Sequence, residues 1–202
     1  MDGDDVRAAA DAALTLLESQ VSQDWTVPLP DLDFTVASVI AHAANTALWY
    51  AIDYTTGPGD DGAFDVKVMP DAEPARLLAS LRSSAFLCAM AVDTLPATQR
   101  GFHPMGDGDA SGFAAMACDE ILVHARDAGT GLGLDFVPDT GLAARVLTRL
   151  FPWYEPVADP WAGLLHANGR IDLPGRAHQV ERWRWHSAPL TEWDGTEPAG
   201  GG

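Results

Sequence analysis

Glu120 and His124 stand four residues apart in the run Phe113-Ala-Ala-Met-Ala-Cys-Asp-Glu120-Ile-Leu-Val-His124. On a helix that spacing puts both side chains on one face, about 6 Å apart. The run is apolar on nearly every side, so a carboxylate set in it needs a partner or a metal. His42 lies in a second apolar run, Val39-Ile-Ala-His42-Ala-Ala-Asn45-Thr46-Ala-Leu-Trp49. If the two helices face one another, His42, Glu120 and His124 can converge in the core. Two imidazoles and a carboxylate with a fourth position open make a catalytic zinc-type ligand set.

The same residues admit plainer readings. A lone histidine in an apolar helix is often a hydrogen-bonded core residue, and a Glu-x3-His pair is often an ordinary carboxylate–imidazole contact. Asp127, three residues after His124, could orient that ring; otherwise Asp119, Arg126 and Asp127 read as a solvated helix face. His103, in a glycine-rich loop, reads as a surface histidine. Asn45, one turn after His42, faces the same way and is a candidate ligand contact.

Five helices must position these groups. Val6, Ala9, Ala10, Ala13, Leu14, Leu17 and Val21 recur at spacings of three and four, which predicts a helix over 4–22. Pro28 and Pro30 end it. Asp33 offers an N-cap for a helix over 34–56, stopped by Gly57-Pro58-Gly59. Asp71 caps a third over 72–95, with Pro74 tolerated in its first turn. A fourth runs over 110–128, ended by Gly129, Gly131 and Gly133, and a fifth over 140–151. The expected fold is all-α: an antiparallel four-helix bundle with a short fifth helix and an irregular C-terminal tail. The bundle should occupy 1–152 and a Trp/Arg-rich tail 153–190, with 191–202 disordered. Arg170-Ile171-Asp172-Leu173 reads as a short strand. Trp153, Trp161, Trp183 and Trp185 are interleaved with Arg170, Arg176, Arg182 and Arg184. Such a segment is costly to leave in water, so the tail should fold back over the bundle or line a cleft.

Composition narrows the partners. The chain has 202 residues, 47% hydrophobic and 20% charged, which suits a folded globular protein. Its net charge is −17, and Lys67 is its one lysine among 12 basic residues. A phosphate backbone would repel it, so no nucleic-acid partner is expected. The most apolar stretch, Phe34 to Ile52, is broken by Ser38, His42, Asn45 and Thr46, which argues for a buried helix and no membrane span. The acidic N-terminus lacks signal-peptide order. Cys88 and Cys118 sit in apolar surroundings without CxxC spacing and read as buried thiols in a reducing compartment. A cytoplasmic location follows as an expectation.

The stretch Trp25-Thr-Val-Pro-Leu-Pro-Asp31-Leu-Asp33-Phe-Thr35-Val-Ala-Ser-Val-Ile-Ala-His42 resembles the start of the mycothiol-dependent maleylpyruvate isomerase family, which belongs to the DinB-like metal-binding four-helix bundles. In that family a histidine on the helix after this segment and a Glu-x3-His on the fourth helix bind the metal. Those positions match His42, Glu120 and His124. Residues 159–176 also look like the tail of shorter relatives. The resemblance implies a divalent metal, zinc by its ligand set, with mycothiol as cosubstrate. The implied activity is a metal-dependent thiol transferase or isomerase, its partners a small-molecule thiol and an electrophile. The isomerase itself draws an arginine from a second domain. Here the residues from 153 to 202 offer Arg170 and Arg176 as catalytic candidates, with Arg182 and Arg184 as further choices. A non-enzymatic metal-bearing binding module and a metal hydrolase are the competing readings.

Overall fold

The computed structural model describes residues 1–30, 32–60, 62–177 and 184–197. Six helices carry the described residues: α1 (Gly3–Leu17), α2 (Val36–Thr56), α3 (Pro74–Thr94), α4 (Ala110–Gly131), α5 (Thr140–Leu150) and α6 (Pro160–Ala167). The first four form the bundle. α1 and α2 each pack against both α3 and α4, and so lie diagonally across from one another. α5 packs on α4, and α6 on α5. No strand is present among the described residues; three isolated bridges are the whole of the β pairing.

The caps explain where the helices begin. α2 starts two residues later than expected because Thr35, and not Asp33, is its N-cap. The Thr35 hydroxyl accepts from the Ser38 N–H while the Ser38 hydroxyl accepts from the Thr35 N–H, closing a capping box. α3 begins after Glu73 with Pro74 in its first turn, and Asp71 does not cap it. The Asp109 and Asp139 carboxylates accept from the N–H groups of Gly112 and Leu142 at the starts of α4 and α5. Beyond Leu17 the first helix tightens into a single 3-10 turn over Glu18–Gln20 and stops short of 22.

The tail is more ordered than expected. Asp159 accepts from Trp161 and Ala162 N–H, and Pro160 takes the first helical position; together they start α6. Trp161 and Leu164 then drop into the core. The expected strand at 170–173 is a turn: Leu173 and Arg176 exchange two backbone hydrogen bonds. Within 191–197, expected to be disordered, two side chains find partners. Glu192 pairs with Arg100 at 2.6 Å, and the Trp193 indole donates to the Thr196 carbonyl. Arg182, Trp183 and residues 198–202 lie outside the described residues.

Arg149 locks residues 186–188 of the tail onto the start of α4. Its buried guanidinium donates to Ser111 Oγ, Asp109 Oδ1 and the carbonyls of His186, Ser187 and Ala188, at 2.7–3.1 Å. This brings the Ser187 carbonyl so close to α4 that a Cβ on Gly112 would stand 2.1 Å from it, and only glycine fits there. α3 is the one described helix long and apolar enough to cross a membrane by length and composition. Its packing against α1 and α2 accounts for its apolar face.

Candidate metal centre

Two residues on α4 and one on α2 meet at one point. His124 Nε2 lies 3.0 Å from Glu120 Oε2, and His42 Nε2 lies 3.4 Å from the same oxygen. The three ligand atoms lie within 4.8 Å of one another, slightly wider than the roughly 4 Å that bonds of about 2.0–2.2 Å to one ion imply for the two nitrogens. The imidazoles stand edge to face with centroids 5.0 Å apart. Glu120 and His124 side chains are about nine-tenths buried, while that of His42 is 42% exposed. Glu120 Oε2 is fully buried, yet neither ring aims an N–H at it with hydrogen-bond geometry. The three groups therefore converge on a shared point, as ligands of one cation do.

The segment before α2 builds a roof over them. Trp25 and Val27 carbonyls accept from the Ala37 and Val36 N–H groups, and Leu29 N–H donates to the Phe34 carbonyl. This pins Phe34 with its ring 5.5 Å from His42 and 6.4 Å from His124. The sequence offered Phe34 only as part of a segment leading to His42.

An outer layer fixes His124. Its Nδ1 lies 3.2 Å from Asp127 Oδ2. A carboxylate can only accept, so Nδ1 carries the proton and Nε2 faces Glu120. Of the two readings open for Asp127 the structure shows the orienting one, buried against His124, and Asp119 is buried too and not on a solvated face. Arg170 Nε donates to Asp127 Oδ2 at 3.0 Å, and Arg126 reaches the other oxygen at 3.3 Å. Arg170 Nη1 donates to the Asn168 carbonyl, and Asn168 Nδ2 donates to Asp119 Oδ1 at 2.8 Å. Asn168 and Asp119 escaped the sequence reading because their partnership spans 49 positions with no local spacing to betray it.

These contacts set the charges. Burial opposes ionisation of Glu120, but the two imidazoles overcome it and hold the carboxyl down at about 2. Burial likewise opposes the His124 cation, yet Asp127 and Glu120 push it up to about 9. For Asp119 burial prevails, joined by the Glu120 charge, and raises it to about 7.

A further wall stands near Glu120. His103 packs between Tyr50 and Trp185 at 5.9 and 5.8 Å. It is half-buried, not a surface histidine, and burial lowers it to about 4 although the Glu120 charge works against this. Met105 N–H donates to its Nδ1, which leaves the proton on Nε2.

The remaining candidates have structural partners. The Arg170 guanidinium faces Asp127 and the Asn168 carbonyl, so the structure gives it a positioning place behind His124. Arg176 pairs with exposed Glu155 at 2.6 Å. Asn45 Oδ1 accepts from the Val68 N–H and clips the 62–70 segment to α2.

Fold and side chains together define a helical-bundle domain with a His2Glu cluster that is open at His42. The chain belongs to the family described as the mycothiol maleylpyruvate isomerase N-terminal domain, a DinB-like helical domain, whose match spans residues 6–129. No curated protein and no solved structure matches the chain.

Proposed function

We propose that the chain is a metal-dependent thiol transferase in which His42, Glu120 and His124 bind a divalent cation, zinc by donor type, and mycothiol is the thiol cosubstrate. The buried, undonated Glu120 Oε2 between two imidazole nitrogens carries the metal reading. The family supports mycothiol. A divalent cation there supplies Lewis acidity that converts a thiol to its thiolate.

The gain from that is bounded. A thiol with an ordinary pKa near 8.5 is already about 3% ionised at pH 7, so full ionisation gives at most roughly thirtyfold. Positioning of the electrophile must supply more. Two imidazoles and one carboxylate leave the site a net positive charge toward a thiolate. Asp127, held by Arg170, keeps the His124 ring from rotating. Phe34 packs against both imidazoles and leaves His42 as the open side of the site.

The test is metal analysis of the purified protein, then turnover of an aryl halide with and without mycothiol. Thiol-dependent turnover that a chelator abolishes supports the reading. Turnover without thiol points to a hydrolase, and thiol binding without turnover to a binding module; either result replaces it.

A further inference from the structure

We infer that a groove between α2, α3 and the segment around Lys67 binds a small organic anion, one with a carboxylate or phosphate head and a short apolar body. It is a separate place from the His2Glu cluster. Leu48, which lines the groove, lies six residues after His42 and so about 120° around α2 from it.

Charge singles the groove out. Eight described arginines hold a carboxylate within ion-pair distance, as expected in a chain of net charge −17. Lys67, Arg76 and Arg184 hold none among the described residues, and the first two line one groove of about 500 Å³. No Asp or Glu lines it. Two uncompensated cations facing one cavity in so acidic a protein select for negative charge.

The floor supplies a second, independent observation. Ser84 is only 3% exposed as a residue, but its hydroxyl opens onto the groove and makes no hydrogen bond among the described residues. A hydroxyl free to donate and accept at the floor suits a carboxylate or phosphate oxygen. Ser83, one position earlier, lines the same floor. Leu48, Met69 and Leu87 make the rest of the lining apolar, which a bare inorganic ion would leave unused. The outer wall is not loose: the Trp49 indole donates to the Val66 carbonyl at 3.1 Å, and Asn45 takes the Val68 N–H.

The experiment is amide chemical-shift titration of the intact protein with octanoate, octanol and inorganic phosphate. Octanoate should saturate, moving Val68, Ser83 and Ser84, while octanol and phosphate bind at least several-fold more weakly. Lys67→Ala and Arg76→Ala should each weaken octanoate roughly threefold, and together about tenfold. Added salt should weaken it as well. Ser84→Ala should leave thermal stability unchanged or higher and still reduce affinity. Equal binding of octanol and octanoate, with both charge variants unaffected, would make the groove a plain apolar depression and overturn the inference. So would the absence of saturable shifts at millimolar octanoate.

Discussion

Metal affinity should climb with pH and keep climbing to about pH 9. Before a cation can use Nε2 of His124, the proton that the ring holds between Glu120 and Asp127 must leave. Burial disfavours that proton, but the two carboxylates outweigh it and raise the ring from 6.5 to about 9. An imidazole at its ordinary value stops limiting affinity a little above neutrality. Here apparent affinity should rise about tenfold per pH unit between 6.5 and 9, about 300-fold in all. The stability of the metal-free protein runs the other way. A folded-state value raised above the unfolded one contributes stability fully below 6.5 and loses it as pH rises through 9. Asp119, raised from 3.8 to about 7, also favours the protonated fold and loses its contribution over that interval. Glu120 is depressed, so its contribution holds above 4.5 and is lost only as pH falls through about 2. The assays are competition against a chromophoric chelator from pH 6.5 to 9 and urea unfolding of the metal-free protein at both ends. An affinity that levels off above about pH 7.5 would show that His124 is not held between two carboxylates, and the outer layer would lose its assigned role.

Glu120→Ala should lose most of the bound metal, since two neutral imidazoles remain; elemental analysis checks it. Cys118→Ala should keep the metal, because Cys118 points about 200° away from Glu120 around α4; metal loss there would mean that the ligand set is wrong. Arg170→Ala should lower metal affinity about 10–100-fold through Asp127, with Arg170→Lys recovering part of it, by the same chelator competition. Arg149→Ala should cost about 3–5 kcal/mol by stranding Asp109 and three tail carbonyls, and lower the melting temperature by roughly 2–4 °C per kcal/mol in calorimetry. An Arg149→Ala protein that melts like the parent would remove the tail lock.

The bundle was legible because its periodicity is local. Val6 through Leu17 repeat at helical spacing, and the same residues are buried in α1. His42, Glu120 and His124 were legible for a mixed reason: the i, i+4 pair is visible on any helix, while His42 needed the resemblance to be joined to it. What escaped depends on long-range pairing. Asp119 reads as solvent-facing until Asn168 arrives from beyond α6; Asp127 could be offered as an orienting partner of His124 from its spacing, but not the Arg170 that holds it. α6 itself carries a start signal, Asp159-Pro160, but its eight residues are too short to show periodicity. Arg170 and Arg176 were both candidates on charge alone; only the folded chain separates a guanidinium behind a ligand from one on the surface.

The uneven exposure of the three ligands bears on how a metal would come and go. Glu120 and His124 ride on one rigid helix, shielded on all but about a tenth of their side-chain surface, whereas His42 keeps 42% of its own open. If a cation is held there, His42 would be the hinge of exchange: its bond would break first, and a competing chelator would enter from its side. Dissociation should therefore accelerate with chelator concentration, and the rate should respond to substitutions flanking His42 far more than to equally conservative changes behind His124. Occupancy would then be set by α4, and lifetime by α2.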